Sequence, residues 1–224
     1  MILQNVSKKF GQNSIIDDVS CEIETGKITA ILGESGAGKS TLLNVLSGVS
    51  SFEGKIEGAG RISYLFQSSM LLPNLTVEGN LQFVLDEAEW DKIDEMLDCV
   101  GMLSKKTRYP NRLSGGERRR VAIARAFLFP HDTLLMDEPF SSLDLSLKRS
   151  LISLVATLWR TKQNTVVFVT HDPHEAAILA HTGMVLKEGK LSEPVPLGDE
   201  PPRDFLVQSD GERTLVRVLL GEKN

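Results

Sequence analysis

Hydrophobic and polar residues alternate over residues 1–10 and again over 17–23, the period-two pattern of strands with one covered face. Gly11-Gln12-Asn13 between them supplies hairpin turn residues. The pattern then changes. Residues 28–32 form a short apolar run suited to a strand buried on both faces, and 133–136 and 166–170 read likewise. A glycine-rich segment over 33–40 follows the first run directly and leads into a helical pattern over 41–46, which Gly48 ends as a left-handed cap. A helix-length stretch over 145–160 separates the other two runs, the alternation expected of a parallel sheet. From 67 to 113 helical periodicity appears over 77–85 and 91–103 without a buried-strand run, which predicts a small helical unit inserted into the sheet domain. Beyond Gly183, strands over 184–187 and 190–191 flank a Glu188-Gly189 turn, and the proline-rich segment 192–203 is expected to be irregular. The chain carries no internal repeat.

Composition narrows the function. With 224 residues, 41% hydrophobic and 25% charged, the chain suits one substantial core. A formal net charge of -5 gives no electrostatic footprint for nucleic acid, so no nucleic-acid partner is expected. One local basic run exists, Arg118 to Arg120 with Arg125 beyond it, and on a helix most of it reads as a solvated face. Cys21 and Cys99 are too few and too far apart for a disulfide framework or a zinc knuckle, which points to a reducing compartment. Residues 1–10 lack the apolar segment of a signal peptide, and no apolar run approaches the roughly 18 residues a membrane-spanning helix needs. Any membrane role must therefore come through a partner.

Three segments carry chemistry. Gly33-Glu34-Ser35-Gly36-Ala37-Gly38-Lys39-Ser40, followed by Thr41, fits the phosphate-loop pattern G-x-x-x-x-G-K-[ST] between a strand and a helix. Its glycines let backbone N–H groups turn inward on phosphate oxygens, Lys39 reaches the β- and γ-phosphates, and Ser40 offers a hydroxyl to Mg²⁺. Leu134-Leu135-Met136-Asp137-Glu138 ends an apolar strand in two carboxylates, which strand alternation would point in different directions. Asp137 is placed to hold Mg²⁺, and Glu138 to polarise an attacking water. Leu113-Ser114-Gly115-Gly116-Glu117 precedes an alanine-rich helical stretch, 121–128, and puts a second anion site at a helix N-terminus without a lysine.

With this third segment the sequence resembles the ABC ATPase family, whose signature is an LSGGQ-like motif, and six motifs occur in family order from Phe10 to Lys190. Glu117 stands where the family usually has Gln. The resemblance implies an α/β P-loop NTPase (RecA-like) core with an antiparallel β subdomain and an inserted α-helical signature subdomain. The core with the β subdomain is expected over 1–66 and 121–224, the helical subdomain over 67–120. It further implies that Phe10 stacks on adenine, that Gln67 reaches Mg²⁺ and water, that Ser141-Ser142-Leu143-Asp144 meets the opposing subunit with Asp144 near the nucleotide, and that His171 contacts the γ-phosphate. In this family the signature of one subunit closes on the ATP held by another, so a homodimer around two ATP is expected.

The compact spacing, the run Leu71-Leu72-Pro73-Asn74-Leu75 after Gln67, and Asp137-Glu138-Pro139-Phe140 look like the nitrate, sulfonate and taurine group of bacterial importers. The partners implied are integral membrane permease subunits and a separate solute-binding protein, with this chain peripheral on the cytoplasmic face of the inner membrane. In the family the leucine-containing stretch lies in the groove that receives a helix of the membrane subunit. An exporter ATPase, or a soluble ABC ATPase outside transport, would share the motifs. The chain lacks the coiled-coil insertion, second cassette or basic surface expected of the latter.

Overall fold

The computed structural model describes residues 1–206 and 208–221. Two sheets organise them. The larger is parallel at its centre: β3 (Ile28–Leu32), β5 (Ile62–Leu65), β6 (Thr133–Asp137), β7 (Thr165–Thr170) and β8 (Thr182–Lys187) lie in the order β8-β3-β7-β6-β5. The short β10 (Val195–Pro196) and β9 (Lys190–Leu191) pair antiparallel with β8. A three-stranded antiparallel sheet, β2-β1-β4, is built from β1 (Ile2–Phe10), β2 (Asn13–Glu22) and β4 (Glu53–Glu57). The 192–203 segment, expected to be irregular, thus contributes a two-residue edge strand.

The central strands are mainly apolar because both faces are covered. Ala30, Leu32, Leu134, Met136, Val166 and Phe168 face one core. Their alternates Ile31, Leu135, Val167 and Val169 face a second core with Val6, Val19 and α1 (Lys39–Leu46). Each fully buried aliphatic side chain contributes about 1.5–3 kcal/mol. The first core is closed by α4 (Gly115–Leu128), α5 (Leu145–Lys162), α6 (Pro173–Leu179) and α7 (Asp210–Leu220), together with α2 (Val77–Gln82) and α3 (Asp91–Cys99) of the helical region. The predicted helix over 91–103 is α3 followed by a separate 3-10 turn at Leu103–Lys105, with Gly101 at positive φ between them.

α4 is a single 14-residue helix that begins at the signature and runs across the expected boundary between residues 120 and 121. One expectation is corrected at Arg119, which stands apart from the solvated face expected for most of its basic run. Positions 119, 122, 123 and 126 form one buried stripe at helical spacing, which carries the arginine inward.

Candidate functional site

Four parallel strands bring their carboxyl ends to one edge of the sheet, where α/β proteins bind ligands. β3 delivers the glycine-rich loop, β5 leads to Gln67, β6 ends in Asp137, and β7 leads to His171. The loop, Gln67, His171 and Glu138, the residue after β6, line a cavity of about 670 Å³ together with Phe10 and Ile15 from the β1–β2 hairpin, whereas Gly33 and Asp137 are not among its lining residues.

The loop owes its shape to its glycines. Gly36 and Gly38 have φ of 84° and 98°, where side chains are strained. A Cβ at Gly33 would come within 2.7 Å of the Leu186 carbonyl oxygen, and one at Gly38 within 2.7 Å of Ile15. Gly38 stands at the N-cap of α1 and makes no side-chain hydrogen bond to its first turn, so the capping position itself leaves those N–H groups to a ligand. Lys39, 6% exposed, donates to the carbonyls of Gly33 (2.8 Å) and Glu34 (3.0 Å) and lies 3.4 Å from Glu138 Oε1.

Asp137 and Glu138 diverge, though not by strand alternation. β6 stops at Asp137, and Glu138 adopts a left-handed φ of 42° while its N–H donates to Val169 O at 3.1 Å. That turn swings its carboxylate into the cavity, where His171 Nδ1 stands 2.9 Å from Oε2. A non-glycine residue in this conformation stores strain that its surroundings must hold. Asp137 is buried, and burial pushes its carboxyl above the usual range against the opposing hydrogen bond with Ser40. Its Oδ1 has no hydrogen-bond partner. A buried carboxylate oxygen left unpaired beside a serine hydroxyl fits a hard divalent cation.

The cavity gathers Phe10, Ser35, Gly36, Gly38, Lys39, Ser40, Thr41, Gln67, Glu138 and His171 from the expected set. Phe10 is 57% exposed, with Lys8 Nζ 5.0 Å from its ring centroid, an available stacking face rather than a core residue. Glu34 and Ala37 face the outer side of the loop, with Leu186 and Lys187. Ser114, Gly115, Gly116, Glu117 and Asp144 do not line the cavity. Ser114 caps α4 through a reciprocal capping box: its hydroxyl accepts from Glu117 N–H (3.2 Å), and its own N–H donates to Glu117 Oε2 (2.8 Å). Lys105 pairs with the same carboxylate, and this contact, followed by the Ser114 hydrogen bond, lowers the Glu117 carboxyl to about 2. A Cβ at Gly116 would meet Leu147 of α5 at 2.7 Å, whereas one at Gly115 would meet nothing. Asp144 caps α5, accepting from Leu147 N–H at 3.0 Å.

Sequence reasoning missed Arg119. Its guanidinium, lowered to about 10 by burial, donates to the main-chain carbonyls of Pro139, Phe66, Gln67 and Glu138. The signal was available in its spacing to Ala122, Ile123 and Ala126.

The sheet order, the phosphate loop and the strand-end carboxylates define a P-loop ATPase. The sequence profile of the ABC transporter family matches residues 16–141, more than half of the chain. The aliphatic sulfonates import ATP-binding protein of Burkholderia lata is 37% identical, over 98% of this chain and 72% of that one. The spermidine/putrescine import ATP-binding protein of Chromobacterium violaceum is 36% identical, over 98% of this chain and 68% of that one. A solved dimeric ATP-binding cassette, bound to ADP and phosphate after hydrolysis, superposes with a TM-score of 0.75 at 29% identity, covering 88% of this chain and 99% of that one. This chain belongs to the ABC transporter family, as an ATP-binding and ATP-hydrolysing subunit.

Proposed function

We propose that two copies of this chain close on two ATP molecules and power the import of a small solute through separate permease subunits, at the cytoplasmic face of the membrane. One observation carries the reading: the cavity holds the phosphate loop, Gln67, Glu138 and His171 but nothing from Ser114–Glu117, so a site with both halves needs a second chain. The loop N–H groups and Lys39 bind the phosphates, and Phe10 stacks on the base. Ser40, Asp137 and Gln67 would hold Mg²⁺, which would supply neutralisation of the phosphate charge. Glu138, fixed between Lys39 and His171, orients the attacking water. Ser114 and the Gly115-Gly116 backbone of the partner copy cover the γ-phosphate and exclude bulk water, with the partner's Asp144 loop beside them. Among the described residues no helix is long and apolar enough to cross a membrane, in keeping with separate permeases.

The solute is selected elsewhere. Relatives of nearly equal identity serve an anionic sulfonate and a cationic polyamine, so this chain's chemistry does not depend on the cargo. We assign recognition to the permeases and a separate solute-binding protein.

Permease docking is assigned to an apolar groove of about 340 Å³ beside Gln67, lined by Tyr64, Phe66, Leu72, Phe83 and Val84. Tyr64 and Phe66 stack at 4.2 Å, and Phe66, Met70 and Phe83 are exposed. Of the three leucines read from the sequence, only Leu72 lines this groove. Leu71 packs on the larger core, and Leu75 sits in a turn held by Asn80, whose Nδ2 donates to the carbonyls of Leu72, Leu75 and Thr76. A short amphipathic permease helix suits such a groove. Changing Leu72 and Phe83 together to Ser should leave ATP hydrolysis by the isolated chain within about twofold of wild type while co-purification with the permease and solute uptake fall about tenfold or more. Uptake and co-purification at wild-type levels in the folded double variant would move docking elsewhere.

A further inference from the structure

Arg119 belongs to none of the motifs assigned above. It lies in the first turns of α4, 5% exposed. Its Nε donates to Pro139 O (2.8 Å), Nη1 to Phe66 O (2.7 Å) and Gln67 O (3.1 Å), and Nη2 to Glu138 O (3.4 Å). Farther along the same helix, Arg125 donates to Met70 O at 2.9 Å. The segment after β5 is thus tied to α4 at two points, and the turn carrying Glu138 is tied to the same helix through one planar fork.

Among the described residues no ion pair includes Arg119, so carbonyl dipoles satisfy its buried charge, with Asp137 favouring the charged form. For packing alone, an apolar side chain of similar volume would avoid the desolvation cost. What the guanidinium adds is geometric: four main-chain oxygens from two separate segments are held at fixed positions relative to α4. These contacts go to the backbone, so they move Gln67 and Glu138 whatever their side chains are doing.

We propose that Arg119 is a positioning residue linking the two ATP sites of the dimer. Gln67 and Glu138 act on the ATP bound by their own chain. Ser114, at the start of α4, acts on the ATP bound by the partner. A shift of the Gln67 or Glu138 backbone at one site is passed through the fork to the orientation of α4, and so to the serine at the other site. The inference rests on the composite dimer proposed above.

Dimers of two differently tagged full-length chains test it. Lys39→Ala in the first chain silences its own site and leaves one working site, with its phosphate loop, Gln67 and Glu138 from the second chain and its Ser114 from the first. Arg119→Met is then placed in either chain. The link predicts that kcat at the remaining site falls about tenfold in both placements, while the isolated Arg119→Met chain keeps its affinity for an ATP analogue. Arg119→Lys, which keeps the charge but not the fork, should recover part of the loss, and it carries the test if the methionine variant does not fold. An effect confined to one placement, or absent from both, overturns the link. Ser114→Arg in the first chain distinguishes the underlying reading: if the remaining site still turns over with that change, the composite dimer is wrong whatever Arg119 does.

Discussion

Two helices of this chain begin at glycine-rich turns suited to an anion, and they prepare their N-termini in opposite ways. α1 starts at Gly38, with no side-chain cap and with Lys39 buried beside it. α4 starts at Ser114, whose hydroxyl and N–H are both engaged by Glu117, with Lys105 on the same carboxylate. The first lacks a side-chain cap and holds Lys39 on the Gly33 and Glu34 carbonyls, from which a phosphate can draw it. The second has its cap satisfied within one chain, with Lys105 engaged by Glu117. The difference fits a division of labour in which α1 binds nucleotide within one chain and α4 contributes when a second chain brings a γ-phosphate to it.

The two helix starts separate most strongly at α1. Lys39→Ala removes the buried cation of the phosphate loop and should weaken equilibrium ATP binding about a hundredfold or more. Affinity within a few-fold of wild type would show that the loop backbone suffices. Glu138→Gln keeps the shape of the site and loses the carboxylate. ATP should still bind, hydrolysis should fall about a thousandfold, and sizing in ATP should show a long-lived dimer. Turnover near the wild-type rate, or a monomer only, would remove Glu138 from its assigned role.

At α4 the effect is smaller and depends on pH. The Glu117 carboxyl is held at about 2 instead of 4.5, chiefly by Lys105, so its ionised form favours the folded state. That contribution is present above pH 4.5 and lost as the pH falls through about 2. Because both side chains reach solvent at the surface, which screens the pair, it contributes about 1 kcal/mol or less. Glu117→Gln keeps the capping geometry without the charge. The stability gap between wild type and variant, measured by denaturant unfolding, should narrow across this acid window. A gap constant with pH would assign the carboxylate no electrostatic part in the cap.

Much of this was legible in the amino-acid order. The strands β3, β6 and β7 announce themselves as short, mainly apolar runs because both their faces are buried. The phosphate loop is legible because Gly36 and Gly38 answer to backbone demands that few other residues meet, whereas in the signature only Gly116 is constrained, by the Leu147 side chain. What stayed hidden depends on partners distant in sequence. β4 is the polar segment Glu53–Glu57, exposed along nearly its whole length and made a strand by pairing with β1. β5 buries Ser63, which is satisfied only by the Ala126 carbonyl of α4, 2.8 Å away. α7 did carry an apolar stripe, with Leu215, Val218 and Leu219 packing on the larger core, though it lies beyond a proline-rich segment. The left-handed turn at Glu138 has no counterpart in the dipeptide Asp-Glu, and it is what aims the carboxylate.

The central claim, that each working site takes α1 from one chain and α4 from another, is tested most directly by mixing two variants that are each inactive. Lys39→Ala spoils the phosphate-loop half and leaves the signature half intact, while Ser114→Arg does the reverse and leaves nucleotide binding by the isolated chain unchanged. In a mixed dimer, one site joins the intact phosphate loop of the second variant to the intact signature of the first. An equimolar mixture should therefore regain ATP hydrolysis, up to about a quarter of the wild-type rate if the halves pair at random and sites act independently. A mixture as inactive as its components, or a Ser114→Arg protein that hydrolyses ATP by itself, would contradict the composite site.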